Sequence, residues 1–244
     1  MVTFNSFATI LPDPVNKITD SGDTDPTAGV AGPGFSAINF VSNGETQVSR
    51  TNSGRGVSRD QGRQYWSFSI KYNPMLRAQF DPVDSFLASR NARRDPFFVV
   101  LPQYSKPKDA TFATFAGANI LKVSGDTQAG ATYFLMNCIS VISGTPKPGD
   151  MLTITDAANA NHKKVYKVTR VESDARYQAG TTAPTTFEKR IHINPPLQRF
   201  TTTTSVVNFI NPLFRVVARS DVREYELNTD NLYNFSLDVE EIQP

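Results

Sequence analysis

A chain of 244 residues, 39% of them hydrophobic and 20% charged, can bury a real core as one large β domain or two smaller ones. Its formal net charge of +2 is too close to balance to imply a nucleic-acid or membrane partner, and its single cysteine, Cys138, rules out an intrachain disulfide. The opening Met1-Val2-Thr3-Phe4-Asn5 lacks the basic start of a secretory leader, and no segment approaches the roughly 20 apolar residues of a membrane span, so a soluble chain that folds in a cytoplasm is expected.

Residues 11–34 are rich in Pro, Asp, Gly and Thr and too poor in large apolar residues for a core of their own, which predicts an extended N-terminal arm over residues 1–34. Such an arm is either a disordered tail or a segment that orders against a neighbouring subunit. Residues 35–40 read as a first strand, and Asn43-Gly44 is a turn signal leading into residues 46–50, a hairpin pattern. Over residues 64–72, Trp66, Phe68, Ile70 and Tyr72 alternate with small or polar residues, as in a half-buried strand. A helix is expected from Asn73-Pro74, with Leu76, Phe80, Val83, Phe86 and Leu87 inward and Arg77, Gln79, Asp84 and Arg90 toward water. Pro82 should kink that helix or set its effective start. Residues 97–101 then form a short apolar strand ended by Pro102.

A second cluster of strands is expected at 119–123, 133–139, 151–155, 164–171 and 187–193, separated by turns at Ser124-Gly125, Pro148-Gly149 and Ala179-Gly180. Its spacing suits a small barrel. Larger strands return at 213–219, 223–227 and 232–241. The predicted fold is mainly β: a β-sandwich with one packed α-helix, built from residues 35–106 and 204–244, and a small β-barrel inserted over residues 107–203.

No constellation assembles into an active site. His162 sits in a polar stretch and His192 in a strand, neither with another ligand at metal spacing. Cys138 lies in an apolar run as a buried thiol would, and no glycine-rich loop has the context of a phosphate site. Asp238 and Glu240 alternate outward along the last strand instead of facing a shared cleft. No cofactor and no metal are expected, and the protein reads as non-enzymatic.

Residues 50–63 carry Arg50, Arg55, Arg59 and Arg63 beside Tyr65 and Trp66. Basic loops with aromatics can grip single strands, but Trp66 follows the core pattern and no wider charge excess extends the patch, so nucleic acid is not expected. The favoured roles are a solvated hairpin loop or a contact to an adjacent subunit or another protein of the assembly, with Asp238 and Glu240 as candidate partners in that interface.

Taken in order, Thr46-Gln47-Val48-Ser49-Arg50, the Arg/Gly-rich loop, Gln64-Tyr65-Trp66-Ser67-Phe68, Tyr72-Asn73-Pro74-Met75-Leu76-Arg77-Ala78-Gln79-Phe80, Phe86-Leu87 and Phe97-Phe98-Val99-Val100-Leu101-Pro102 resemble the structural proteins of tailed-phage tails, of the distal tail or baseplate-hub class. Lys147-Pro148-Gly149-Asp150-Met151-Leu152 and His162-Lys163-Lys164-Val165-Tyr166-Lys167-Val168 resemble the inserted barrel of some of these proteins, with Asn194-Pro195-Pro196-Leu197 as its exit. The resemblance implies a virion structural protein, assembled in the host cytoplasm. It would be a homo-oligomeric ring, often sixfold, that joins the tail tube to other tail, baseplate or host-recognition proteins. The competing class is a carbohydrate-binding β-sandwich module, for which Tyr104, Tyr133 and Tyr177 near turns are the candidate contacts.

Overall fold

The computed structural model describes residues 7–25, 27–91, 93–157 and 159–243, apart from the side chains of residues 60–63. In chain order its elements are β1 (Phe35–Arg50), β2 (Gly56–Tyr72), α1 (Arg77–Ser89), β3 (Phe97–Val100), α2 (Ala110–Ala118), β4 (Leu121–Val123), β5 (Tyr133–Asn137) and β6 (Met151–Thr155). They continue as β7 (Val165–Glu172), β8 (Glu188–Asn194), β9 (Val206–Asn208), β10 (Leu213–Ala218), β11 (Tyr225–Leu227) and β12 (Tyr233–Glu241). The chain is thus mainly β, and it divides into two compact units: residues up to Val99 with Arg215–Ile242, and Val100–Phe214.

In the first unit the two ends of the chain share one sheet, in the order β1-β2-β12-β10-β3, with β11 paired to β12. The alternation in β2 sends Trp66, Phe68, Ile70 and Tyr72 into the core, and that in β12 sends Phe235, Leu237 and Val239. Helix α1 contributes Phe80, whose ring stacks on Tyr233 at 4.7 Å, and Phe86, which meets Phe97 edge-on at 5.7 Å.

Three local expectations are corrected here. The helix begins at Arg77 with Leu76 as N-cap, not at Asn73-Pro74, because Met75 is held extended by a pair of backbone hydrogen bonds to Tyr233. Leu76 is therefore exposed, and Pro82 lies inside α1. Asn43-Gly44 is not the hairpin turn. Both residues sit within the β1–β2 ladder, and the register slips between Gly44 and Thr46, so the glycine serves an irregularity in the strand. The chain reverses instead over residues 51–55, where Gly54 adopts φ 80° and donates its N–H to the Thr51 carbonyl.

The N-terminal segment is extended but anchored. Ile10 bridges Phe98 in parallel, Leu11 donates its N–H to the Phe98 carbonyl at 2.8 Å, and the Leu11 side chain is buried. Residues 10 and 11 thus cover the β3 edge of the chain's own sheet.

In the second unit the strands close into a barrel in the order β4-β5-β8-β7-β6-β9. Its core gathers Phe134, Met136, Leu152, Ile154, Tyr166, Val168, Ile191 and Val207. The sequence reading has no counterpart for α2, whose N-cap Asp109 accepts from the Phe112 N–H at 3.0 Å and whose Phe112 ring meets Phe209 edge-on at 5.1 Å. Gly144, at φ 73°, passes so close to α2 that a Cβ there would stand 2.5 Å from the Phe112 nitrogen.

Candidate functional site

Two surfaces carry the groups that could act on a partner. The first is the distal half of the β1–β2 hairpin. Strand β12 supports β2 only over Ser67–Lys71, so the ladder from Thr46↔Asp60 to Arg50↔Gly56 stands as a two-stranded arm. At about 3.3 Å per residue, the segment from Gly56 to Gln64 reaches roughly 25–30 Å along the strand. Val48 and Val57 are exposed on it, and so are Arg50, Arg55 and Arg59.

The expected arginine-rich loop is therefore mostly strand. Arg50 ends β1, Arg55 closes the turn and Arg59 lies in β2, while the side chain of Arg63 lies outside the described ones. Among the described residues, Arg50, Arg55 and Arg59 form no ion pair. The structure does not bring the acids to them within this chain. Asp238 is exposed on β12, and Glu240 is already held by Arg93 at 3.4 Å and Arg219 at 3.9 Å. A second feature of this unit is its open edge: β1 ends the sheet and pairs only with β2 among the described strands, whereas the opposite edge is covered by Ile10.

The second surface lies on the barrel, around Glu172. This carboxylate, 1% exposed, accepts from Arg190 Nη1 at 2.6 Å and pairs with Arg170 Nη2 at 3.0 Å and His192 Nε2 at 3.1 Å. Burial pushes the Glu172 carboxyl up. Hydrogen bonds from Arg190, His192 and the Gln178 backbone, with the charge of Arg170, outweigh it and hold the group below the usual carboxylate range. Arg190 is further tied to Thr181 Oγ1 at 3.2 Å and the Thr182 carbonyl at 2.8 Å. Sequence reasoning placed His192 in a strand and missed Glu172, Arg170 and Arg190, because the cluster joins two strands whose pairing no local pattern announces.

His162 is a correction. Its polar neighbours point to a solvated turn, yet it is buried, with Nε2 2.8 Å from the Tyr166 hydroxyl and no hydrogen-bond partner at Nδ1 among the described residues. The same hydroxyl accepts the Gln198 N–H at 3.0 Å. Desolvation lowers the His162 pKa to about 4, with Asp156 opposing and Arg199 and Lys163 adding to the shift. Nearby, Asp156 accepts from Ser205 Oγ at 2.8 Å. A serine, a histidine and an aspartate thus share one end of the barrel, but Ser205 bonds the carboxylate and is itself buried, so this is an internal network in which no nucleophile faces a substrate. Cys138 is buried as expected. No helix among the described residues is long and apolar enough to cross a membrane.

The open edge of the sheet and its two-stranded hairpin arm, and separately the barrel surface around Glu172, are suited to contact with a partner. Comparison with known proteins carries this to a class: residues 22–104 match the family of the distal tail protein pb9 A domain, N-terminal part. The chain is also 27% identical, over 149 residues, to distal tail protein pb9 of Escherichia phage T5, a match covering 58% of this chain. It spans 64% of that relative's length. The chain is similar, over these stretches, to distal tail proteins of tailed phages, a likeness that supports a structural protein of a phage tail. The family match starts at residue 22, so it takes in part of the N-terminal segment.

Proposed function

We propose that the chain is the subunit of a closed ring, sixfold by the resemblance, that connects the tail tube to baseplate or host-recognition proteins. The observation that carries this reading is the unsupported hairpin arm beside the open β1 edge. A two-stranded ribbon is marginal alone in water, and a long exposed edge left unpaired is an invitation to association. Both liabilities are removed if each copy lays its arm against the next, a head-to-tail contact that closes after a fixed number of copies. Arg50, Arg55, Arg59 and Arg63 would then meet carboxylates of the adjacent copy. Asp238 is the better candidate, since Glu240 has partners in its own chain.

The double substitution Arg55→Glu with Arg59→Glu tests this. It should leave the unfolding midpoint of the monomer unchanged, because exposed charges contribute little to a domain's own stability. Incorporation into tails in a complementation assay, and any ring seen by native mass measurement, should be lost. Normal incorporation of the double variant would refute the contact. DNA binding by the wild type that falls steeply with salt and disappears in the variant would assign the arm to nucleic acid instead.

The barrel would be the module that docks other tail proteins, separable from the ring-forming unit. Strands β3 and β10, which flank it in the chain, are neighbours in the sheet, so a flexible linker replacing residues 101–212 would leave both strands whole. The shortened chain and the excised barrel should each unfold cooperatively by circular dichroism. If both are unfolded, the two were never independent modules.

A further inference from the structure

The outward face of β5, β8 and β7 bears two parallel rows of side chains. Cross-strand pairing puts Tyr133 opposite His192 and His192 opposite Arg170, and in the next row Leu135 opposite Arg190 and Arg190 opposite Glu172. With strands about 4.8 Å apart, the row from Tyr133 to Arg170 runs roughly 10 Å. Tyr133 is 51% exposed. On its β8 side, the Arg190 guanidinium stands 5.8 Å from the ring centre and the His192 ring 5.5 Å. On its other side β4 pairs only with Met136 and Asn137, so no β4 residue stands opposite Tyr133.

The charges on this face do not cancel. Glu172 is a single carboxylate enclosed by two guanidinium groups and an imidazole, and the Arg170 side chain remains 53% exposed. The enclosed carboxylate fixes the directions of Arg190, Arg170 and His192 before any ligand arrives, so their ordering is not charged against binding. What is left on the surface is an open aromatic plate beside a row of donors with a net positive charge.

We infer that this face binds a saccharide carrying an acid group, carboxylate or phosphate: a sugar ring lies on the open flank of Tyr133, and the acid reaches His192 and Arg170. A disaccharide spans about the length of the row. A neutral sugar would leave the cationic row unused, and a flexible acidic peptide lacks the rigid ring that the Tyr133 plate fits. Every residue involved lies in the barrel unit and outside the family match of residues 22–104, so the inference does not rest on ring formation.

The test titrates the full chain with tetragalacturonate and with mannose 6-phosphate, which separate the carboxylate from the phosphate source, and with maltotetraose and tetraglutamate, all followed by NMR chemical shifts. At least one acidic saccharide should bind in the millimolar range or tighter and move the signals of Tyr133 and its neighbours. Maltotetraose should bind at least tenfold more weakly. Tyr133→Ala and Arg170→Ala should each weaken the acidic saccharide at least tenfold, about 1.4 kcal/mol, while Tyr133→Phe keeps it. Both replaced side chains are about half exposed, and Glu172 keeps Arg190 and His192 when Arg170 is lost, so both variants should remain folded, with Tyr133→Phe as a folded control. No binding of either acidic saccharide at millimolar concentration, binding indifferent to Tyr133→Ala, or tetraglutamate binding as well as tetragalacturonate would each overturn the assignment.

Discussion

Replacing Trp66 with alanine should lower the stability of the sheet unit by about 3–5 kcal/mol, the cost expected when a large buried aromatic leaves a cavity that its neighbours fill only in part. Trp66 is 2% exposed in the middle of β2, its ring stacks on Phe40 at 5.0 Å, and its backbone N–H donates to Glu241 Oε2 at 3.1 Å. One ring partner thus comes from the adjacent strand of the hairpin, while Phe80 and Phe86 of the helix meet Tyr233 and Phe97. Urea titration should show the loss as a lower midpoint, with Val48→Ala, at an exposed position of the arm, shifting it by less than about 0.5 kcal/mol. An unchanged midpoint for Trp66→Ala would show that the residue does not anchor the sheet. The place of Trp66 in the core of the sheet unit would fall with it.

What the sequence makes legible here is whatever repeats with a short period. The alternation of Trp66, Phe68, Ile70 and Tyr72, and of Phe235, Leu237 and Val239, appears in the structure as buried faces, because a strand exposes every second side chain to the same environment. Most barrel strands fall within a residue or two of their expected bounds for the same reason. Strand β9 is three residues long and α2 has the run Ala-Thr-Phe-Ala-Thr-Phe-Ala-Gly-Ala; neither is long or amphipathic enough to show a period. The turn at residues 51–55 was hidden by a stronger local signal, Asn43-Gly44, which long-range pairing absorbed into the ladder. The barrel face was illegible for another reason. Tyr133, His192, Arg170 and Glu172 come from three strands, and only their register sets them in rows. Alternation could have marked Arg190 and His192 as outward together, but not what stood beside them.

The hairpin and the barrel face bear differently on how such a chain would be built. In the proposed ring, an arm that is marginal by itself would make assembly report on folding, since only a correctly folded sheet presents both the edge and the arm. A barrel held by its own core tolerates a partner on its surface without change to the ring. On the proposed division, the fixed contacts would lie in the unit that carries most of the family match, and the barrel face would be free for recognition.

Acidification should weaken the barrel before it affects the sheet, and His162 is the group responsible. In the folded chain its pKa is lowered to about 4 from a reference of 6.5, chiefly because the ring is buried, with Asp156, Arg199 and Lys163 as the charges around it. Between those two values the unfolded chain binds a proton at this position that the folded chain refuses. Stability therefore rises with pH across this window and is lost as pH falls from about 6.5 toward 4. The full loss is about 3 kcal/mol, from some 2.5 units at 1.36 kcal/mol each. Glu172 and Glu188, both held below the usual carboxylate value of 4.5, withdraw their contributions only as pH falls below that value, so the range from 6.5 to 4.5 isolates the histidine. Urea unfolding of the full chain at pH 7, 6, 5 and 4.5 should show the barrel transition moving to lower denaturant. His162→Gln, which keeps a polar contact to Tyr166 without a titrating ring, should flatten that dependence even if it starts from a lower midpoint. The same slope in wild type and variant would mean that the buried imidazole is not the source of the acid sensitivity, and the orphaned Nδ1 would then need a partner that stabilises its charged form.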